Sequence, residues 1–403
     1  MENSKLFLKE VTLSGYKSIN NITIQFQKGL NIIIGKNAAG KTNFLEFLNK
    51  TLSLEYKGLN NFSSTLKFKN GADITIESNN FININKLLDP ANFGNEVESV
   101  LKISHKTINI SNETSFFEKL KENKIIFDTT FLCHGIPKEY SIVDKPFSFK
   151  LSIDGGFSNE LMNGVMDISN PYFTRCFLFD ILFSDFASSS INPSGLFDID
   201  FIKKSFNPIL KKTEAIKYIL NKYSPIEDIR FSDNYNIFIT EDKENYTINN
   251  FFLEFKVDGS WLPFSNLSDG TKRLFYIISE VFENKENTNK RPANKGWANE
   301  SEISRIILIE EPELGIHPHQ FHKLMEFLKE ESEHKQIIIT THSPQALDSI
   351  NENELNRIII AYATNSKDGT KLKHLDETEI IKAKAYIKED FLSDYWLYSD
   401  LEK

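Results

Sequence analysis

Eight consecutive residues, Gly35-Lys36-Asn37-Ala38-Ala39-Gly40-Lys41-Thr42, place two glycines, a lysine and a hydroxyl at the spacing G-x-x-x-x-G-K-[ST]. Glycines let a backbone curl until successive N–H groups face phosphate oxygens, and a following helix adds the positive end of its dipole. In such a loop Lys41 reaches the β- and γ-phosphates of a nucleotide and Thr42 offers its hydroxyl to Mg²⁺. Gly35, Asn37, Ala38, Ala39, Gly40, Lys41 and Thr42 are therefore the candidate ATP-binding residues. A chance match in a loop lacks flanking elements. Here the run Leu30-Asn31-Ile32-Ile33-Ile34 predicts a buried strand before the loop, and Phe44, Leu45, Phe47 and Leu48 predict a helix from Thr42.

Far downstream, Ile306-Ile307-Leu308-Ile309 runs into Glu310-Glu311-Pro312-Glu313. An apolar strand that delivers carboxylates at its C-terminal end suits metal and water chemistry beside a bound phosphate. Glu310 then holds Mg²⁺, and Glu311 is the general base that orients and deprotonates the attacking water. The same tetrapeptide is also compatible with a plain charged helix start. A third apolar strand, Ile337-Ile338-Ile339, ends in Thr340-Thr341-His342-Ser343-Pro344, which puts His342 where a γ-phosphate contact belongs. A lone histidine at a strand end is more often structural, and it is the company of the other two segments that favours function. The fourth segment, Leu267-Ser268-Asp269-Gly270-Thr271-Lys272-Arg273, precedes a predicted helix. Ser268 and Gly270 suit anion binding at a helix N-terminus, although the segment alone is also an ordinary N-cap.

The elements that position these residues alternate. Leu6–Leu8 and Ile22–Phe26 read as strands, and Thr65–Lys69 with Ala72–Glu77 flank Asn70-Gly71, a strong hairpin signal. Strand-like pieces recur at 97–110, 125–132 and 226–257, while the apolar segments near 173–183 have no clear period. Residues 202–223 read as a helix bent at Pro208, carrying Lys203, Lys204, Lys211, Lys212, Lys217 and Lys222 against Glu214. That face is a solvated surface or, less favoured, a phosphate or partner contact. A helix is expected over 270–282 and an exposed polar loop over 283–302. From Arg305 onward strand and helix alternate, with helices expected at 320–330 and 344–350, which implies parallel sheet packing.

Composition narrows the rest. The chain has 403 residues, 40% of them hydrophobic, enough for one elaborated domain or two lobes. Neither a run of about 18 apolar residues nor a signal peptide is visible, so a cytoplasmic protein without a membrane span is expected. Two cysteines, Cys133 and Cys176, are too few for a disulfide framework. A net charge of −9 confines any DNA contact to a local basic patch.

Taken in order, the four segments resemble the P-loop, signature, Walker B and His-switch elements of ABC-type ATPase heads, the class that includes SMC and RecF proteins. More closely, 267–273, 310–318 and 340–344 resemble bacterial AAA-type proteins related to OLD-family nucleases. These include RloA-like proteins and the ATPase subunits of antiphage systems such as PARIS, Septu and some abortive-infection pairs. The resemblance implies an α/β fold: an ABC-type P-loop ATPase head with a mixed-sheet lobe, a parallel-sheet core and a helical mid-chain insertion. It divides the chain into 1–195 (P-loop and β-rich lobe), 196–255 (insertion, a dimer or partner arm) and 256–403 (signature, Walker B and His switch). It implies Glu311 and His342 as catalytic residues, Thr42 and Glu310 as Mg²⁺ ligands, and a homodimer or higher oligomer in which Ser268 and Gly270 of one copy cover ATP held by the other.

Leu314-Gly315-Ile316-His317-Pro318 corresponds to the dimer-facing D-loop, which accounts for His317 better than a zinc site with His319 and His322. Lys17 stands where such heads often keep a basic residue near the phosphates. Glu310 in place of Asp, and Asp269 in place of Gly, point to slow turnover. No Toprim domain follows Pro344, so a nuclease, Toprim or toxin effector is expected on another polypeptide. The resulting expectation is an ATP-gated sensor or scaffold of an antiphage system. The alternatives are a RecF-like DNA repair ATPase and a transporter nucleotide-binding subunit.

Overall fold

The apolar runs form strands in the computed structural model, which describes residues 5–56, 59, 61–69, 73–80, 97–110, 118–133, 147–152, 214–239, 245–282, 304–363, 369–389 and 391–398, apart from a few single positions within those ranges. In chain order, β1 (Phe7–Ser14), β2 (Ile22–Gln25) and β3 (Leu30–Ile34) lead into α1 (Lys41–Leu52). Then come β4 (Phe62–Lys69), β5 (Asp73–Asn80), β6 (Glu98–Ile103), β7 (Lys106–Ile110) and β8 (Phe127–Leu132). β9 (Phe147–Ser152), α2 (Glu214–Tyr223) and β10 to β14 (Asp228–Phe231, Asn236–Ile239, Asn245–Phe251, Leu253–Val257, Ser260–Pro263) precede α3 (Asp269–Val281). β15 (Ser304–Glu310), α4 (Pro318–Glu331), β16 (Gln336–Thr341), β17 (Ile358–Ala363), β18 (Thr370–His374), α5 (Glu377–Glu389) and α6 (Leu392–Tyr398) follow.

The chain divides into two compact units. The larger comprises residues 1–134, 285–313 and 325–403 and holds two six-stranded sheets. One is antiparallel, in the order β2-β1-β4-β5-β6-β7. The other has the order β18-β17-β3-β16-β15-β8, parallel throughout except for β18. The fold is thus α/β, but the lobe sheet expected to be mixed is antiparallel throughout, and it is the parallel core that gains one antiparallel strand, β18. β3 and β16 are buried at every position, which is why they read as unbroken apolar runs rather than alternating ones. The alternating burial of β4 and β5 marks a sheet with one face on the core. Phe44, Leu45, Phe47 and Leu48 on α1 pack into that core with Leu8, Val11, Phe62 and Leu66 of the antiparallel sheet and Leu308 and Ile338 of the parallel one. Gln336 ties the two sheets together: its amide accepts from Leu8 N at 2.8 Å and donates to Leu8 O at 2.8 Å, and Leu6 N donates to Ser304 Oγ at 2.7 Å.

The smaller unit comprises residues 135–284 and 314–324. Its described strands form two three-stranded antiparallel sheets, β10-β13-β14 and β11-β12-β9. Phe255, Phe264 and Phe275 pack with ring centroids 5.1 to 5.7 Å apart and fix α3 on the first sheet.

Some expectations are modified. β4 and β5 pair antiparallel with Lys69 opposite Asp73, and the expected turn at Asn70-Gly71 lies outside the described residues. The helix expected at 344–350 is a 3-10 turn, Pro344–Ser349, with Pro344 in its first turn. Of the lysine-rich helix, Glu214–Tyr223 is described. Lys217, its side chain only 17% exposed, pairs with Asp228 at 3.0 Å, and Lys222 lies over the buried Tyr223 ring. Lys203, Lys204, Lys211, Lys212, Cys176, the segment 173–183 and the loop 283–302 lie outside the described residues. Among the described residues no helix is long and apolar enough to cross a membrane.

Candidate nucleotide site

Three adjacent parallel strands, β15, β16 and β3, carry the candidate chemistry out of the same edge of the core sheet. Their register sets Glu310 opposite Thr340 and Thr341 opposite Ile34. Glu311, His342 and Gly35 therefore each begin just past a strand end, and the ladder continues into them: Glu311 N donates to Thr340 O at 2.8 Å and Gly35 N to Thr341 O at 3.4 Å.

The loop between β3 and α1 curls through positive φ at Ala38 (65°) and Gly40 (87°). A Cβ at Gly40 would collide with the Thr370 hydroxyl, and one at Gly35 with the Ala361 carbonyl, so both glycines are required by close approach as well as by phosphate access. Gly40 caps α1 without a side chain, and no acidic residue occupies the first turn. The positive end of the helix is thus left to an anion. Lys41 is only 4% exposed, with Nζ donating to Gly35 O (2.7 Å) and Lys36 O (3.0 Å) inside the loop. Asn43 donates to Ser18 Oγ (2.8 Å), which lies 2.7 Å from Thr370 Oγ1, a polar clasp that holds the start of β18 against the loop. Lys17 is paired instead with Glu46, whose carboxylate also accepts from Tyr16. The hydrogen bond to Glu46 raises the Lys17 pKa, whereas burial is the chief cause that raises that of Tyr16.

At the end of β15, Glu310 is 3% exposed and Glu311 takes a left-handed φ of 42°, uncommon outside glycine. Such backbone costs of order 1–3 kcal/mol and clusters at functional sites. It turns the chain so that Pro312 is buried and Glu313 folds back on β16. His342 Nδ1 lies 3.8 Å from Glu311 Oε1 and 3.1 Å from Glu313 Oε1. Sequence reading assigned Glu313 no role, although a third carboxylate held two residues on by a proline was the signal available. Thr340 Oγ1 and Glu313 Oε2 are buried without a hydrogen-bond partner, a polar edge suited to a hydrated ligand. With the uncapped helix end, Lys41, and the hard oxygen donors of Thr42 and Glu310, these residues fit a nucleotide triphosphate and Mg²⁺.

Ser268 and Gly270 belong to the smaller unit. Ser268 N-caps α3: its Oγ accepts from Thr271 N at 3.1 Å and lies 2.8 Å from Thr271 Oγ1. Asp269 points to solvent, 94% exposed, with Lys272 at 3.9 Å. Gly270 packs on the 314–318 segment so closely that a Cβ there would stand 2.5 Å from Gly315 O. Gly270→Ala is therefore expected to lower stability by about 1–3 kcal/mol despite the better helix propensity of alanine. A lowered thermal midpoint measures it, and an unchanged midpoint would contradict that backbone contact. His317 Nδ1 accepts from His319 N at 3.3 Å, and among the described residues no three His, Cys, Asp or Glu side chains form a metal-holding group.

Two family models match the chain. "AAA domain" covers residues 10–161, and "AAA domain, putative AbiEii toxin, Type IV TA system" covers 163–348. The Septu protein PtuA of Bacillus thuringiensis is 24% identical over 355 residues, spanning 87% of this chain and 75% of that protein. The retron Vc95 probable ATPase of Vibrio cholerae is 23% identical over 403 aligned residues, spanning 89% of this chain and 74% of that protein. A shorter match, 46% identical over 41 residues, joins 10% of this chain to 11% of the DNA replication and repair protein RecF of Geobacillus thermodenitrificans. Among solved structures, the SMC head domain from Thermotoga maritima aligns over 92% of this chain and 99% of its own, at 13% identity and a TM-score of 0.45. Along most of its length the chain is thus similar to AAA-domain proteins, among them the Septu protein PtuA and the retron Vc95 probable ATPase.

Proposed function

We propose that this protein is an ATP-gated sensor or scaffold of an antiphage defence system, in which closure of two copies around ATP controls a separately encoded effector. The observation that carries the ATPase part is the alignment of Gly35, Glu311 and His342 past the ends of three adjacent parallel strands. The defence part is supported by the Septu and retron relatives. The loop amides and Lys41 bind the triphosphate, and Glu311 takes a proton from water as it attacks the γ-phosphorus while ADP leaves. Thr42 and Glu310 are the residues that would hold Mg²⁺, which when bound would supply positive charge to offset that of the phosphates. His342 contacts the γ-phosphate.

Ser268 and Gly270 act from the second copy. ATP then favours the closed pair because only that pair supplies them, and hydrolysis releases it. A homodimer, or a higher oligomer built through the same sites, is the form expected in the cytoplasm. Light scattering tests the gating: the wild type is expected to form dimers with ATP and Mg²⁺, and Ser268→Ala to shift that equilibrium back toward monomer. A mass independent of ATP overturns it. Purification from native cells should retain a nuclease, Toprim or toxin partner.

The RecF match sustains a second reading, a clamp on duplex DNA. It calls for binding whose affinity falls steeply with salt.

A further inference from the structure

We infer that Glu313 is a positioning residue for His342: it engages the imidazole through Nδ1 and braces the backbone around it, so that Nε2 is the nitrogen presented to phosphate. The inference rests on the reading of this edge as an ATP-hydrolysing site and adds to it a residue with an assigned task.

Glu313 Oε1 is a shared acceptor. It takes Thr341 Oγ1 at 2.6 Å, His342 N at 2.9 Å and Ser343 N at 3.3 Å, and His342 Nδ1 lies 3.1 Å away. Two consecutive backbone amides, one hydroxyl and one ring nitrogen thus converge on one oxygen of a side chain that is 9% exposed. Hydrogen bonds to a buried charged acceptor are among the stronger ones, and their convergence immobilises the strand end that carries the histidine. The Nδ1 approach at 3.1 Å is a close contact rather than an aligned hydrogen bond, and because an ionised carboxylate only accepts, closing it into one requires the proton on Nδ1. That selects one of the two neutral tautomers and leaves Nε2 for the ligand side. The competing carboxylate, Glu311 Oε1, is 3.8 Å from Nδ1 and beyond hydrogen-bond reach. The two acids therefore divide the work: Glu311 stays available to water while Glu313 orients the ring. A catalytic group held by an acceptor behind it is a recurring way to fix orientation before the reaction.

The test uses ¹⁵N-histidine-labelled full-length protein, with the His342 ring signals assigned by their loss in His342→Ala. Without nucleotide, the neutral ring should have a protonated Nδ1 and a bare Nε2 in the wild type and in Glu313→Gln, whose amide oxygen still accepts. Glu313→Ala should move the ring toward the Nε2–H tautomer. In ATP turnover, Glu313→Ala and His342→Ala should each lower kcat by about 10²-fold, the lower end of what a positioned acid–base group supplies. The double variant should be no slower than either single one, with KM changed less than about threefold, as expected for groups that act as a unit. Glu313→Gln should recover much of the loss. An Nε2–H tautomer in the wild type, or losses that multiply in the double variant, would overturn the inference. A wild-type protein that hydrolyses no ATP would instead sink the ATPase reading, and the ring signals would still decide whether Glu313 holds His342.

Discussion

Lys41→Ala is expected to keep its fold and lose ATP binding, with the dissociation constant rising by at least about 10²-fold. Lys41 is the cation buried inside the loop, and its Nζ is already gathered against Gly35 O and Lys36 O where the phosphates would lie. Truncating one member of a buried, hydrogen-bonded charge pair typically costs about 2–5 kcal/mol, each 1.4 kcal/mol being tenfold in affinity. Burial raises the value of that charge, because the phosphates it meets are shielded from water. The hydrophobic face of α1, from Phe44 to Leu48, is untouched by the change, so a preserved thermal midpoint separates lost binding from lost structure. Titration calorimetry with ATP and Mg²⁺ reads the affinity. Wild-type affinity in the variant would place the nucleotide elsewhere.

Glu311→Gln should do the opposite to occupancy: ATP stays bound while hydrolysis falls by about 10²–10⁴-fold, the range a positioned general base supplies. The substitution is nearly isosteric. The left-handed turn at φ 42° and the Glu311 N to Thr340 O bond at 2.8 Å depend on the backbone, so both should survive. What disappears is the carboxylate that receives the proton. If closure of two copies is driven by bound ATP, this variant accumulates as a dimer with ATP, whereas the wild type returns to monomer as ATP is spent. Phosphate release and light scattering on the same samples check both halves. Hydrolysis at the wild-type rate would remove Glu311 from the role of base. A normal loss of hydrolysis without dimer accumulation would leave the base in place and reject ATP-gated closure.

Much of this edge was legible before any coordinates. The Gly35–Thr42 spacing with an unbroken apolar run before it and an amphipathic run after it specifies a strand, a phosphate-type loop and a helix, and β3 has the expected bounds while α1 begins one residue before Thr42. β15 and β16 were equally visible, because strands buried on both faces spell runs of Ile and Leu. Less was visible where polarity is mixed. β18, α5 and α6 carry Lys, Glu and Tyr without a clean period and were not anticipated. The helix expected after Ser343 proved to be a 3-10 turn, since a six-residue segment is short enough for either geometry.

The sequence by itself determined which residue types are available for phosphate, metal and water chemistry, and which strands end in them, because those features are local in the chain. Only the tertiary structure decided that β16 lies between β15 and β3, so that His342 sits between the acidic turn and the loop. It alone placed Glu313 under His342 and the Gly315 carbonyl against Gly270. Such pairings join residues 29 and 45 positions apart through hydrogen-bond and van der Waals contacts that no periodicity encodes. Strand order and side-chain partners are set by how whole elements pack, and packing is a property of the folded chain.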